Sequence, residues 1–373
     1  MKIGYDAKRA VANFTGLGNY SRLVIEEVGR ARPDDRLLLY TPRLGDSPRL
    51  AGIEALANAE YRVPQRWPGG SLWRTWGITA DLRRDGVSLF HGLSNELPLN
   101  IRKSGVPSVV TVHDLIFLRC PQYYKPVDRR LYDYKYGAAC RNADRIIAVS
   151  ERTKADIVDI YGISPDKIDV VYQGCDASFR APISAEKLNE VRQRLGLPGD
   201  YILQVGTIEE RKNLIASVKM LKHLPDDVTL VAVGRNHHGY LEKVMRTAAE
   251  EGVLKRLRVL SGVSFADLPA VYRMARLCMY PSRYEGFGIP VLEALESGVP
   301  VIAATGSCLE EAGGDAAFYV DPDDSSAMAE IATEILRGNV DTAGIAARGR
   351  AWAARFNTPD MVRSIMDVYA KLL

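Results

Sequence analysis

The sequence predicts an α/β protein made of two Rossmann-like domains, each a parallel sheet covered by helices. Three observations carry this. The chain has 373 residues, more than one typical domain and a fit for two of roughly 150–200 residues each. Short apolar runs rich in β-branched residues alternate with longer helical patterns, the signature of buried parallel strands. That rhythm then starts a second time near the middle of the chain.

In the first series the strands are expected at Lys2 to Tyr5, Leu37 to Tyr40, Leu89 to His91, Val109 to His113 and Arg145 to Val149, with a sixth at Asp169 to Tyr172. The polar stretch from Gln173 to Asp200 follows, punctuated by Gly174, Pro182, Gly196, Pro198 and Gly199 and holding one helical pattern, Ala185 to Leu195. The linker is placed near Phe179 to Ile183, which gives domains of 1–178 and 179–356. The second series runs through Tyr201 to Val205, Val228 to Val233, Arg258 to Leu260, Leu277 to Tyr280 and Val299 to Ala303. A last helix, about Met361 to Leu373, follows Phe356-Asn357-Thr358-Pro359.

Composition narrows the function classes. With 47% hydrophobic and 25% charged residues and a formal net charge of +3, the chain does not call for a nucleic-acid partner. Cys120, Cys140, Cys175, Cys278 and Cys308 are odd in number, scattered and free of Cys-x-x-Cys spacing, as expected of reduced thiols. The N-terminus turns polar within a few residues, and no run approaches the ~18 apolar residues of a membrane span. A cytoplasmic protein is expected, with room for contact at the inner face of a membrane.

The most informative segment is Tyr284-Glu285-Gly286-Phe287-Gly288-Ile289-Pro290-Val291-Leu292-Glu293, directly after the strand Leu277 to Tyr280. Proline suits a first helical turn, so a helix is expected to start near Pro290 with Glu293 in its first turn. Gly286 and Gly288 allow close approach to a ligand, and amides there, with the helix N-terminus, suit anionic oxygen. Two carboxylates beside N–H donors match a nucleotide sugar, whose hydroxyls donate and whose phosphates accept. A capped helix whose acids favour the dipole is the plainer explanation. The second segment, Val205-Gly206-Thr207-Ile208-Glu209-Glu210-Arg211-Lys212-Asn213, closes the first strand of the second series. Ligands bind at such strand ends, and Arg211 and Lys212 could neutralise a diphosphate there. A solvated charge cluster would look the same.

Glu285-x7-Glu293, with Gly206-x5-Lys212-Asn213 some seventy positions earlier, resembles the retaining GT-B glycosyltransferases of family 4, also called group 1. Gly16-Leu17-Gly18, Val112-His113-Asp114, Ala148-Val149-Ser150-Glu151 and Val320-Asp321-Pro322-Asp323 fall in the family's order, so the resemblance spans nearly the whole chain. It implies the GT-B fold, two Rossmann-like domains facing across a cleft, with the last helix (357–373) crossing back to the N-terminal, acceptor-side domain. Arg211 and Lys212 would hold the donor's diphosphate and Glu293 the ribose hydroxyls, while Glu285 and His113 contact the transferred sugar. Gly286, Phe287, Gly288 and Ile289 would offer amides, Gly206, Thr207 and Tyr284 would line the donor site, and the loop at Gly16 and Gly18 would close over the diphosphate. Many members carry arginine directly after the phosphate-segment glycine, where this chain has Thr207 and moves its arginine to Arg211. That variant is similar to mannosyl- and rhamnosyltransferases of bacterial surface polysaccharides and points to GDP-mannose as donor.

Departure of a nucleoside diphosphate needs charge neutralisation, which Arg211, Lys212 and a helix N-terminus could supply without metal or cofactor. Asp321-Pro322-Asp323 lies late, before a helix near Ser326 to Leu336, and is read as a cap plus turn. Retention could proceed by double displacement or by front-face departure. His91 is read as structural, and His237 and His238 as loop residues. Trp67, Trp73, Arg74 and Trp76, and Tyr123-Tyr124-Lys125-Pro126 with Arg129, Arg130, Leu131 and Tyr132, could meet a saccharide or lipid-linked acceptor or could complete a core. Three rivals remain: a nicotinamide dehydrogenase, an inactive nucleotide-sugar-binding accessory subunit and a GT-B sugar-nucleotide epimerase. The dehydrogenase fails because Gly16 lies far from the first strand and the second ends in Tyr40-Thr41-Pro42, with no acid for a ribose.

Overall fold

The computed structural model describes residues 1–13, 15–65, 69–236 and 239–373. The chain divides into two units, Met1–Gly174 with Thr358–Leu373, and Cys175–Asn357. In the first, strands β1 (Lys2–Asp6), β2 (Arg36–Tyr40), β3 (Ala59–Arg62), β4 (Leu89–Gly92), β5 (Ser108–Val112), β6 (Arg145–Ala148) and β7 (Ile168–Val170) form one sheet in the order β3-β2-β1-β4-β5-β6-β7. Every pairing in it is parallel. In the second, β8 (Tyr201–Val205), β9 (Thr229–Val233), β10 (Leu257–Leu260), β11 (Leu277–Tyr280), β12 (Val301–Ala304) and β13 (Phe318–Val320) lie in the order β10-β9-β8-β11-β12-β13, again all parallel.

Parallel strands covered on both faces read as unbroken apolar runs, and every residue of β4, β5, β11 and β12 is buried. Two strands escape the sequence reading because they lack that signature. β3 reads Ala-Glu-Tyr-Arg and is only half-buried at the sheet edge. β13 is three residues long, at the opposite end of the other sheet. In each sheet the chain reverses its direction of travel once, between β1 and β4 and between β8 and β11. Loops leaving the carboxyl ends of those strands diverge and open a crevice.

The division between units falls at Gly174/Cys175, ahead of the expected 178/179 and of a linker at Phe179 to Ile183. Packing explains the difference. The Cys175 amide donates to Phe356 O at 2.9 Å, Phe179 is fully buried against the rings of Tyr272 and Phe265, and Arg180 pairs with Glu296. Cys175 and Phe179 already belong to the second core, and Arg180, Ala181 and Pro182 run exposed along that same unit.

The last helix, Thr358–Ala370, belongs to the first unit, where Met361, Ile365, Val368 and Tyr369 are buried with Ile3, Val24 and Leu39. Its polar anchor is Tyr369, whose hydroxyl lies 2.6 Å from His91 Nδ1 and 3.2 Å from Tyr5 OH. His91 Nε2 is 2.8 Å from Thr111 Oγ1. Burial holds the His91 pKa down, to about 3, so the ring is a neutral structural link between β4, β5 and the last helix. Tyr369→Phe strips a buried ring nitrogen of its partner, and the loss should be about 1–3 kcal/mol. Urea unfolding monitored in the first unit will show it; a loss below about 0.5 kcal/mol would mean that the helix is held by apolar burial alone.

Candidate active site

The two segments singled out in the second half of the sequence leave adjacent strands at its crevice. Gly206 to Asn213 follows β8, and Pro281 to Gly288 follows β11. Backbone joins them: the Arg283 amide donates to Arg211 O at 2.9 Å. Gly206 has φ +150°, and a Cβ at Gly234, at the end of β9, would meet Gly206 O at 1.8 Å. That contact lets the turn after β8 fold tightly against its neighbour. Gly206, Thr207 and Lys212 line a small pocket with Gln204.

Glu285 is the centre of the arrangement. Its Oε1 accepts from Lys212 Nζ at 2.5 Å and from Ser282 Oγ at 2.6 Å, lies 2.8 Å from Arg211 Nη1, and accepts from Tyr280 OH at 3.2 Å. Lys212 Nζ also donates to Tyr280 OH at 2.5 Å and sits 4.8 Å from the centre of that ring. Burial alone would raise the Glu285 pKa, but the charges of Arg211 and Lys212 and the hydrogen bonds from Lys212 and Ser282 outweigh it and hold it at about 2. Burial, followed by the Arg211 charge, lowers the Lys212 pKa against the pull of Glu285. Arg211 is further fixed by Glu209 Oε1 at 2.6 Å and Tyr284 O at 2.5 Å. The charge cluster is therefore a built, largely desolvated network.

Glu293 differs in kind. The helix Ile289–Glu296 starts on Gly288, φ +126°, with Pro290 in its opening turn. Glu293 is thus the fifth helical residue and falls in the second turn, a correction to the expected first. Burial raises its pKa to about 7, against the Tyr272 hydroxyl that donates to Oε2 at 2.8 Å. Tyr284 and Phe287 are buried, and Phe287 packs at 5.6 Å from the Phe356 ring.

Residues that pattern reading passed over complete this half. Gln204 donates to Lys212 O at 2.9 Å and accepts from Ser217, Tyr280 and Ser282 clasp Glu285, and Tyr272 meets Glu293. The strand end Tyr280-Pro281-Ser282 was the available signal, since it stands directly before the acidic segment. Asp321-Pro322-Asp323 braces the site: Asp321 Oδ1 accepts from the Asp323 amide at 2.8 Å, Asp323 pairs with Arg283, and Pro322 O accepts from Asn213 Nδ2 at 2.7 Å. The cap of the following helix, Ser325–Leu336, is Asp324.

In the first unit His113 lies just past β5, buried, with Nε2 2.9 Å from Leu93 O and Nδ1 3.3 Å from Gln173 Nε2. Its amide donates to Asn95 Oδ1 at 2.6 Å, and the Tyr20 ring meets it edge-on at 4.6 Å. Burial lowers its pKa to about 4, so the imidazole is neutral. Gly16 and Gly18 do not form a loop, as expected, but open the helix Gly16–Ala31. Asn13 Oδ1 accepts from the Thr15 and Gly18 amides at 2.8 and 3.2 Å, and that turn nucleates the helix. Phe14, Arg66, Trp67, Pro68, His237 and His238 lie outside the described residues. Of the aromatic–basic stretches, Trp73 is buried and donates to Asp81, Tyr124 and Tyr132 pack on Phe117, and Trp76 and Leu131 remain exposed. Among the described residues no helix is long and apolar enough to cross a membrane, and no group of three or more His, Cys, Asp or Glu is placed to hold a metal ion.

Two parallel sheets, each with a crevice, and a cation–carboxylate network at the second define a GT-B glycosyltransferase, and comparison with known proteins agrees. The family model "Glycosyltransferase Family 4" matches residues 16–179 and "Glycosyl transferases group 1" matches 189–352. O-antigen chain mannosyltransferase B of Escherichia coli is 30% identical over the full length of both chains. The serotype-specific mannosyltransferase WbdA of the same organism is 27% identical over 77% of this chain and 36% of its own length. Among solved structures, HepE of Anabaena in complex with UDP-glucose has a TM-score of 0.78 at 20% identity, with complete coverage of both. The chain belongs to the family 4, group 1 glycosyltransferases and is a glycosyltransferase that uses a nucleotide sugar.

Glu285 and Glu293 should respond oppositely to pH. Glu293 has a folded pKa above its unfolded value, so its contribution is complete below about pH 4.5 and is lost as pH rises through about 7. Glu285 has a depressed pKa, so its contribution is present above about pH 4.5 and is lost as pH falls through about 2. At pH 8 Glu293→Gln should therefore stabilise the second unit by about 2–4 kcal/mol, and Glu285→Gln should cost about 3–5 kcal/mol by leaving buried cations uncompensated. Urea titrations at pH 5 and 8 check both signs; equal effects of the two substitutions would refute this division.

Proposed function

We propose that this protein is a retaining, metal-independent hexosyltransferase that takes GDP-mannose as donor and a saccharide or lipid-linked saccharide as acceptor, in bacterial surface polysaccharide synthesis. The observation that carries the proposal is the pair Arg211 and Lys212, both held on the single carboxylate oxygen Glu285 Oε1. The two cations face Glu285 and, on Arg211, the more exposed Glu209, so a diphosphate arriving at this strand-end crevice would take over from Glu209 as the partner of Arg211. As the bond from sugar C1 to the diphosphate oxygen breaks, negative charge grows on that oxygen, and the two cations would stabilise it without a metal ion. In front-face departure the acceptor oxygen bonds to C1 as the C1–diphosphate bond breaks, and its proton passes to the departing diphosphate oxygen. In double displacement a carboxylate would first bond to C1 and release the diphosphate, and the acceptor oxygen would then break that bond, its proton again passing to the diphosphate. Glu285, with its four contacts gathered on Oε1, would accept hydroxyls of the transferred hexose through Oε2. Within the second unit Gly206, Thr207, Gly286, Gly288 and Ile289 would line the donor with backbone, and within the first, neutral His113 would be a sugar-contacting group.

The mannosyl donor is favoured by the Thr-Ile-Glu-x-Arg-Lys-Asn segment and by the mannosyltransferase names of the two E. coli relatives. Glu293 would take the ribose hydroxyls. Because those hydroxyls donate, binding favours the ionised carboxylate, so donor affinity should rise through the Glu293 pKa of about 7.

The test is thermal shift and slow donor hydrolysis in EDTA with GDP-mannose, UDP-glucose, UDP-N-acetylglucosamine, dTDP-rhamnose and NADH. GDP-mannose should stabilise the protein, about tenfold more tightly at pH 8 than at pH 6, with the pH dependence lost in Glu293→Gln and binding lost in Lys212→Ala. Response only after a divalent cation is restored would overturn metal independence; an accessory subunit would bind without turnover, and an epimerase would return a different nucleotide sugar.

A further inference from the structure

A second charged network lies at the crevice of the first sheet. Arg74 is nearly buried and bridges two carboxylates: its Nε and Nη2 reach Asp6 Oδ2 at 2.7 and 2.6 Å, and its Nη1 reaches Glu96 Oε2 at 2.6 Å. Lys135 Nζ adds a longer contact to Glu96 Oε2 at 3.4 Å. Asp6 ends β1 and Glu96 follows β4, so the two carboxylates stand on opposite sides of the point where strand order reverses. These residues and Thr75 line a shallow pocket whose enclosed part has room for about one water-sized group.

Stability alone does not account for this arrangement, because buried ionic networks contribute little over apolar packing. Two departures from regular backbone hold it in place. Arg74 lies in a five-residue π-helical turn, Trp73–Gly77, a feature that recurs at functional sites. Asn95, next to Glu96, is buried with φ +62° and accepts from the His113 amide, which ties the Glu96 loop to the histidine at the end of β5.

We infer that the Asp6–Arg74–Glu96–Lys135 pocket is the subsite for a hydroxyl of the acceptor sugar; this rests on the transferase reading above. Arg74 is committed to orienting the carboxylates. The Arg74 and Lys135 charges keep Glu96 ionised by outweighing the burial that would raise its pKa, so Glu96 accepts hydrogen bonds only. Its Oε2 carries both cations, which leaves Oε1 for an incoming donor. Lys135, partly exposed at the same carboxylate, offers N–H donors. A group that donates to Glu96 and accepts from Lys135 is a hydroxyl. A phosphate carries negative charge, which two fixed carboxylates repel.

The probe is methyl α-D-mannopyranoside, titrated by saturation-transfer NMR into the whole protein without donor, with inorganic phosphate as comparison. Millimolar binding is expected, weakened at least fivefold by Glu96→Gln and by Lys135→Met, blocked by Thr75→Phe, and unchanged by Lys212→Ala. Lys135→Met keeps the test open if Glu96→Gln fails to fold, since Arg74 retains both carboxylates in it. Undiminished binding in folded Glu96→Gln or Lys135→Met, no mannoside binding by the wild type, or saturable phosphate binding in its place would each overturn the assignment. Failure of the donor reading shows separately, as absence of any GDP-mannose thermal shift.

Discussion

The second half of the molecule is organised around one carboxylate oxygen. Glu285 Oε1 takes the Lys212 ammonium, the Arg211 guanidinium and two hydroxyls within 3.2 Å. Lys212 could not be buried so deeply without it, because an uncompensated ion in a low-dielectric setting costs several kcal/mol, whereas Arg211 shares its charge with Glu209 as well. The turn after β8 and the loop after β11 are consequently locked in register, and the Asp323 loop grips Arg283 from the outside. Remove the carboxylate, and the two loops lose the reason for their mutual geometry. On the proposed donor reading, a diphosphate would offer the same cations more charge and better distributed oxygens, and Glu285 would hold their positions until it arrives.

Glu285 and Glu293 stand eight positions apart and meet opposite environments. Cations surround the first and depress its pKa to about 2; burial dominates the second and lifts it to about 7. The divergence follows from backbone placement. Glu285 leaves a loop facing the turn after β8, whereas Glu293 points from a second helical turn toward the Tyr272 hydroxyl. Two chemically identical side chains thereby acquire different charge states, one ionised throughout the physiological range and one titrating near neutrality.

The α/β class and eleven of the strands were legible because buried parallel strands announce themselves as apolar runs, as in Val109-Val110 or Leu277-Cys278. β3 and β13 were not, since edge strands bury less and so tolerate Glu60 or only three residues. The Glu285 and Lys212 segments were legible as motifs, yet the sequence could not reveal that they share one oxygen, a relation between residues 73 positions apart. Tyr272 and Gln204 carried no pattern of their own; they matter only by what stands opposite. Arg74 was legible only as one of two alternatives, acceptor contact or core, because its partners Asp6 and Glu96 lie far from it in sequence and the π-helical turn that carries it has no sequence signal.

Backbone strain marks the same places as the charge does. Among the described residues, two that are not glycine have positive φ, Asn95 and Asn213. Each stands in a loop leaving a strand at the crevice of its own sheet, Asn95 after β4 and Asn213 after β8. Asparagine bears the left-handed conformation more easily than most residues, and here each side chain also works: Asn95 Oδ1 accepts from the His113 amide, and Asn213 Nδ2 donates to Pro322 O. A glycine would relieve the conformation and lose the bond; an alanine would lose both. The cost of such a conformation, on the order of 1 kcal/mol, is met by contacts that fix Glu96 and His113 in one unit and Lys212 in the other. Strain of this kind persists where geometry at a ligand matters more than stability, and its coincidence with both charged networks is why each is read as a binding site and not as an accident of packing.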